Sequence, residues 1–307
     1  MNDETCVLLM AFGGPESMEE VPDFLRSVLG RTPPPRLEEE ITERYRSLGG
    51  SSPLPATTRR QAKALAAELA RRGTPWKVFV GMQHARPQLG ETLRKIRDEG
   101  YGRIVALSLA PYRSQASTSA YENTVRETMD SLGMDGEVLF PKDWYDHPLF
   151  VKALAQRLVR FLDTLPEKEP PAIPVIFSAH SIPERMVKAG DPYVTELQAT
   201  VAAVTREVPG ISAYLGFQSK SGAAHDPWVG PDVLEVMDVL RGRGARRIVV
   251  DPIGFVADHL ETLYDNDVVH AAHARELGMS FHRCPCLNTD LRFIEALAAI
   301  CLETEAA

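Results

Sequence analysis

Val175-Ile176-Phe177-Ser178-Ala179-His180-Ser181-Ile182-Pro183-Glu184 is the stretch whose reading decides the fold. Its first four residues form a very apolar run of strand length, as expected for a strand in a parallel sheet covered on both faces. His180 follows that run and is placed to project from the rim of the sheet. Upstream, His147–Leu165 reads as a helix that Pro166 stops, because proline cannot continue the hydrogen-bond ladder. A charged, proline-rich link follows over residues 167–174. Downstream, the pattern predicts a helix over Val194–Val208, a strand over Ser212–Phe217, a helix over Val233–Arg243 and a strand over Arg246–Pro252. A helix is predicted to begin near Asp258, a strand near Met279, and a last helix over Asp290–Glu303.

The first half alternates in the same way. Strands are predicted at Cys6–Phe12, Trp76–Met82, Arg103–Leu109 and Glu137–Phe140. Helices are predicted at Met18–Leu29, Leu37–Leu48, Thr57–Arg72, Leu89–Glu99 and Ala120–Leu132, several closed by glycine. Alternating strands and helices make an α/β protein of two doubly wound, Rossmann-like domains with parallel sheets. The expected boundaries are 1–150, 151–288 with His180 and Glu261, and a C-terminal helix at 289–307 that packs back on the first domain. In such sheets ligands bind at the carboxyl ends of strands.

The chain has 307 residues, 44% of them hydrophobic and 25% charged, with a formal net charge of −8. That composition is globular, and its size suits two domains. Lysine and arginine are scattered, as in Arg59-Arg60, Arg71-Arg72 and Arg246-Arg247, with no basic stripe to serve nucleic acid. No apolar run reaches the length of a membrane span. The N-terminus has no basic segment before its apolar run, so a cytoplasmic protein is expected. The four cysteines, Cys6, Cys284, Cys286 and Cys301, read as buried or semi-buried free thiols.

Several motifs follow predicted strands. Phe12-Gly13-Gly14-Pro15-Glu16 supplies paired glycines that allow close backbone approach, to a ligand or within a tight turn. His180 can accept a proton or ligate a metal near neutral pH. Asp258, Glu261 and Asp265 form a file of carboxylates, with Glu261 and Asp265 at i and i+4 on one helix face. Such a file suits a divalent cation or a proton relay, although Asp258 could instead cap the helix. The apolar neighbours Phe255, Val256, Leu260 and Leu263 bury part of that segment, and buried carboxylates need a partner. Gln218-Ser219 and the loop Asp226-Pro227-Trp228-Val229-Gly230-Pro231 offer Trp228 as one wall of a flat apolar pocket.

Taken with Ala11-Phe12-Gly13-Gly14-Pro15, Tyr45 to Leu54 (YRSLGGSSPL), Gly190-Asp191-Pro192-Tyr193 and Gly254 to Asp265, these motifs resemble the ferrochelatases, in family order from about Val7 to about Leu302. The resemblance implies two chelatase-type domains with a porphyrin cleft between them. It implies a lyase that inserts Fe²⁺ into coproporphyrin III or protoporphyrin IX in haem biosynthesis. The family's histidine falls on His180 and its essential glutamate on Glu261, as catalytic and metal-handling residues whose division of labour stays open. Asp265 continues the proton or metal path, and the expected porphyrin pocket takes in Phe12, Ser52, Tyr112, Tyr121 and Trp228.

Two positions depart from the family pattern. Val269 stands where many bacterial members carry one more acid, with Asp267 as a candidate substitute. Phe12 stands where coproporphyrin-handling members have a tyrosine that reaches iron, and phenylalanine cannot ligate. The segment Val21–Pro35 lacks a long apolar lip, so membrane contact is expected to be peripheral at most. Fe²⁺ is substrate and no resident cofactor is required. A [2Fe–2S] cluster is not expected, because no central cysteine joins Cys284, Cys286 and Cys301. Porphyrin and ferrous iron are the expected partners of a monomer. The rival readings are a sirohydrochlorin-type cobalt or iron chelatase and a non-catalytic haem-binding protein, the second of which has no need of the acidic file.

Overall fold

The computed structural model describes residues 2–166, 173–220 and 227–307. Most of the expected link, and Asp226 of the tryptophan loop, lie outside these residues. The chain divides into two units: Met1–Ala110, Gln115–Trp144 and Thr289–Ala307 form the first, Pro111–Ser114 and Tyr145–Asn288 the second.

The first unit contains β1 (Asn2–Ala11), α1 (Val21–Leu29), α2 (Pro35–Ser47), α3 (Leu54–Arg71), β2 (Lys77–Met82), α4 (Leu89–Asp98), β3 (Tyr101–Ser108), α5 (Thr118–Ser131) and β4 (Glu137–Leu139). The C-terminal helix Leu291–Glu305 belongs to it, with Arg72 Nη2 donating to the Glu295 carbonyl at 3.0 Å. The second unit contains α6 (Pro148–Asp163), β5 (Ile173–His180), α7 (Glu184–Lys188), α8 (Tyr193–Glu207), β6 (Ile211–Gln218), α9 (Val233–Gly242), β7 (Arg247–Asp251), a π-helix (Glu261–His270), α10 (Ala271–Glu276) and β8 (Ser280–Arg283).

Each unit has a four-stranded sheet, ordered β2-β1-β3-β4 and β6-β5-β7-β8, and all pairings are parallel. The second sheet therefore repeats the first. In each, the order turns back beside the first strand, so the loops leaving β1 and β3, or β5 and β7, diverge and open a crevice at the carboxyl ends. The central strands are covered on both faces: Val175, Ile176 and Phe177 of β5 and Ile248, Val249 and Val250 of β7 are fully buried.

Two differences from the sequence reading matter. The apolar run Val175–Ser178 underestimates β5, which continues to His180 because Ala179 and His180 pair with Phe217 and Gln218 of β6. His180 is thus the last residue of a strand rather than the first of a loop. The helix predicted near Asp258 starts only at Glu261. Asp258 neither caps it nor extends its acidic face: its carboxylate accepts from Arg283 Nη1 at 2.9 Å and from Asn288 Nδ2 at 2.7 Å.

Beneath the ends of these strands lies a buried ion pair. Arg157 of α6 donates through Nη2 to both Asp251 oxygens, at 2.5 and 2.6 Å, and through Nη1 to the Pro285 carbonyl at 2.9 Å. Asp251 ends β7 and is fully buried. Burial pushes its carboxyl up, and the Arg157 guanidinium opposes that shift without cancelling it. Removing one partner strands the other charge in the core. Asp251→Leu is expected to cost about 3–5 kcal/mol in urea unfolding, and the double variant Arg157→Met/Asp251→Leu to recover most of that loss.

Candidate functional site

The site in the second unit is built on the carboxyl ends of β5 and β7. β5 delivers His180, whose Nδ1 donates to the carbonyl of Ser181. That bond fixes the tautomer, so a neutral imidazole presents its Nε2 lone pair outward. The Tyr193 hydroxyl donates to the His180 carbonyl at 3.1 Å and steadies the backbone there. After β7 the chain turns tightly, with Gly254 N–H donating to the Ser178 carbonyl at 3.0 Å. A Cβ on Gly254 would stand 2.8 Å from the Ala179 backbone, so only glycine lets this turn press against β5 beside the histidine.

The turn leads to Glu261. His180 Nε2 lies 3.5 Å from Glu261 Oε1, and the two side chains are 32% and 35% exposed, so a ligand can reach them. His259 Nε2 lies 3.6 Å from the other oxygen, Oε2. His259 Nδ1 is 3.3 Å from the Ala257 carbonyl, and its ring packs 4.7 Å from Phe255. Both histidines therefore turn Nε2 toward the same carboxylate.

Burial pulls the His180 imidazolium down, but the Glu261 carboxylate outweighs it and holds the group up at about 9. Burial pushes Glu261 up, and the two histidines overcome that and hold it well below the usual carboxylate range. In the metal-free protein the pair is an imidazolium and a carboxylate at neutral pH.

Glu261 opens the π-helix, in which the Ala271 N–H reaches back to the Asn266 carbonyl. Asp265 is brought to the same face and buried. It accepts from the Ser219 hydroxyl and from Gln218 Nε2, the latter at 3.4 Å. Asp267, the candidate substitute for the missing acid, does not continue the line: it is 42% exposed and pairs with Arg283 Nε at 2.8 Å. Val269 is also exposed. Among the described residues no group of three or more His, Cys, Asp or Glu side chains is arranged to hold a metal ion. His180 and Glu261 form a two-residue contact that leaves most of a metal's coordination sphere open.

The remaining expected site residues divide. Trp228 lies at the site, its ring 6.3 Å from the His180 ring. Phe12, in the first unit, is exposed at the end of β1 and packs against His84 at 4.7 Å and Phe24 at 6.1 Å. Ser52, also in the first unit, is buried against Gly14, where a Cβ would meet it at 2.7 Å. The close approach that Gly14 permits is thus to this serine. Tyr112 and Tyr121 are core residues: the Tyr112 hydroxyl donates to the Ile253 carbonyl at 3.0 Å, and Tyr121 packs among Leu93, Ile96 and Val125. Their burial leaves neither with a face for a ligand in this structure. All four cysteines are free and buried, and burial pushes their thiols up.

His259 is a residue of the site that the sequence pattern does not single out. Residues two apart on a helix point to different sides, so a helix from Asp258 would separate it from Glu261. His259 actually precedes the helix, in a turn closed by its N–H donating to Thr262 Oγ1 at 2.8 Å. The Asp258-His259-Leu260-Glu261 spacing carries that signal only once the later helix start is known.

A ferrochelatase family model matches residues 4–305. A ferrochelatase from Deinococcus radiodurans is 36% identical over 303 residues, covering 98% of this chain and 96% of its own. A coproporphyrin III ferrochelatase from Geobacillus kaustophilus is 35% identical over 303 residues, covering 97% and 95%. Among solved structures, SirB from Bacillus subtilis with Fe³⁺ superposes with a TM-score of 0.62 at 12% identity, over 99% of this chain and 96% of that one. At that identity the likeness shows the fold.

The electrostatic pairing has a direct signature. In the metal-free protein the His180 imidazole is expected to titrate near 9 by NMR, keeping its proton through neutral pH and losing it as pH rises. In Glu261→Gln the largest effect opposing burial is removed, leaving the Ser181 carbonyl and the Asp265 carboxylate, so the titration should move down. A His180 titration unchanged by that substitution would disprove the pairing.

Proposed function

The chain belongs to the ferrochelatase family, and on that premise we propose that it inserts Fe²⁺ into a porphyrin in haem biosynthesis with His180 and Glu261 at the reacting centre. It is an enzyme, a lyase forming nitrogen–metal bonds. The observation that carries the site assignment is the 3.5 Å approach of His180 Nε2 to Glu261 Oε1, with Nδ1 held by the Ser181 carbonyl.

Chelation sets a definite problem. A free porphyrin is flat, and two of its pyrrole nitrogens carry protons. Both N–H bonds must break as the metal–nitrogen bonds form, two protons leave, and no electrons are transferred. Binding energy from the macrocycle can be used to bend it toward the geometry in which metal enters. His180 is the proton acceptor in this reading: its Nδ1–H is engaged, so the neutral ring offers Nε2 to a pyrrole N–H. Glu261 holds the incoming iron through a carboxylate oxygen, a ligand type that suits ferrous iron. A divalent cation on Glu261 opposes the neighbouring imidazolium, which gives up its resting Nε2 proton toward Asp265 and so becomes the neutral acceptor. His259 keeps the carboxylate oriented from its other oxygen. Asp265, one helical turn on, receives what leaves.

The rival of a sirohydrochlorin chelatase has support in architecture alone, since the SirB likeness is at 12% identity. A passive haem carrier leaves Glu261 and Asp265 without work. The porphyrin itself is coproporphyrin III or protoporphyrin IX, and parallel assays on the two assign it.

Under anaerobic conditions with Fe²⁺ and porphyrin, His180→Ala is expected to lose roughly 10²–10⁴-fold in turnover, the range for a removed proton acceptor, with folding by circular dichroism unchanged. Glu261→Gln should lose turnover while porphyrin binding, followed by fluorescence, is retained. Full turnover in His180→Ala would remove the histidine from the mechanism.

A further inference from the structure

The π-helix changes which residues share a face, and that places a buried histidine in line with the site. His270 lies nine positions after Glu261 and ends the helix. Nine residues make roughly two and a half turns of an α-helix, which would put His270 on the opposite side. With hydrogen bonds from i to i+5 the turn is wider, and nine residues make about two turns. His270 therefore falls on the Glu261 side, where Val269 does not.

The side chain is buried, at 3% exposure, and it is connected. His270 Nδ1 lies 3.2 Å from Asn266 Oδ1. Asn266 Nδ2 donates to the Thr262 carbonyl at 2.9 Å and to Gln218 Oε1 at 3.4 Å. Gln218 Nε2 donates to the Glu261 carbonyl at 3.0 Å and to Asp265 Oδ2 at 3.4 Å. Because Asn266 spends its N–H groups on Thr262 and Gln218, its oxygen must accept, and His270 must donate from Nδ1. Each link then fixes the orientation of the next amide, and the string ends on the carboxylate of Asp265. Gln218 is also the strand partner of His180 in the β5–β6 register, so the string runs directly beside the catalytic pair. Ser219, the other donor to Asp265, holds a left-handed backbone at φ 60°, which costs a non-glycine residue on the order of 1–2 kcal/mol.

We propose that His270 is a positioning residue for the chelation reaction, acting through Asn266 and Gln218 to hold the Asp265 carboxylate on the Glu261 side of the π-helix. The proposal rests on the ferrochelatase reading given above. The side chain never meets substrate, and its contribution is orientation.

The experiment compares wild type with His270→Leu, which removes the donor, and His270→Asn, whose Nδ2 stands close to the position of the histidine Nδ1. Wild type is assayed first for metalloporphyrin formation from Fe²⁺ and porphyrin; no product there overturns the functional reading itself. With wild type active, His270→Leu is expected to lower kcat roughly 10-fold, the scale of lost support to a site residue, with KM for porphyrin unchanged. His270→Asn should recover most of that loss. Unchanged kcat in His270→Leu, or His270→Asn as defective as His270→Leu, would overturn the proposal. A measurement independent of variants and of activity also decides it: the ¹⁵N shifts of the wild-type His270 ring. The expected tautomer carries its proton on Nδ1, and a proton on Nε2 alone would break the string at its first link.

Discussion

A carboxylate between two imidazole nitrogens is the contact around which the second unit is arranged. Within an apolar segment, burial pushes the Glu261 carboxyl up and disfavours its charge. His180 and His259 overcome that effect, one at each oxygen. They reach it from two backbone devices, the last residue of β5 and the turn after β7, so the contact requires those strands to be neighbours. The parallel order β6-β5-β7-β8 provides that, and Gly254 allows the turn to close against β5. Below, the Arg157–Asp251 pair anchors the end of β7 from which the turn departs.

The π-helix is the second constraint. A helix bonded from i to i+5 is a rare form, concentrated at functional sites. Here its width keeps Glu261 and Asp265 on one side and adds Asn266 and His270 to the lining. Side chains from β6 and the loop after it, Gln218 and Ser219, fasten it in that form. An ordinary α-helix over the same residues would turn both Asn266 and His270 away and leave the polar line two members shorter. Val269 is exposed, and the buried polar character at that end of the helix is carried by His270.

Much of the architecture was legible in the sequence. Apolar runs of strand length alternating with helical periods gave the two α/β halves, and the glycines after Arg72, Glu99 and Leu132 marked helix ends because those positions need a positive φ. His180 was legible because a histidine just past an apolar strand can only sit at the rim. The apolar run stops two residues short of the strand end, since pairing with β6 and not hydropathy extends β5. Helix type was not legible: a π-helix has no hydrophobic period that distinguishes it from an α-helix over ten residues, and its stability comes from tertiary hydrogen bonds. That hid both His259, which needed the later helix start, and His270, which needed the wider turn. Tyr112 and Tyr121 were expected beside a porphyrin and are instead core residues, because an aromatic in a loop or amphipathic helix reads the same whether it faces a ligand or a neighbour.

The proposed chemistry divides between two ends of one contact, iron on the carboxylate and protons on the imidazole. Iron K-edge absorption of the enzyme loaded anaerobically with Fe²⁺, without porphyrin, tests that division most directly. The expected spectrum contains a carboxylate-oxygen scatterer that is lost in Glu261→Gln and kept in Asp265→Asn. An iron environment identical in wild type and Glu261→Gln would contradict the assignment of the metal to Glu261.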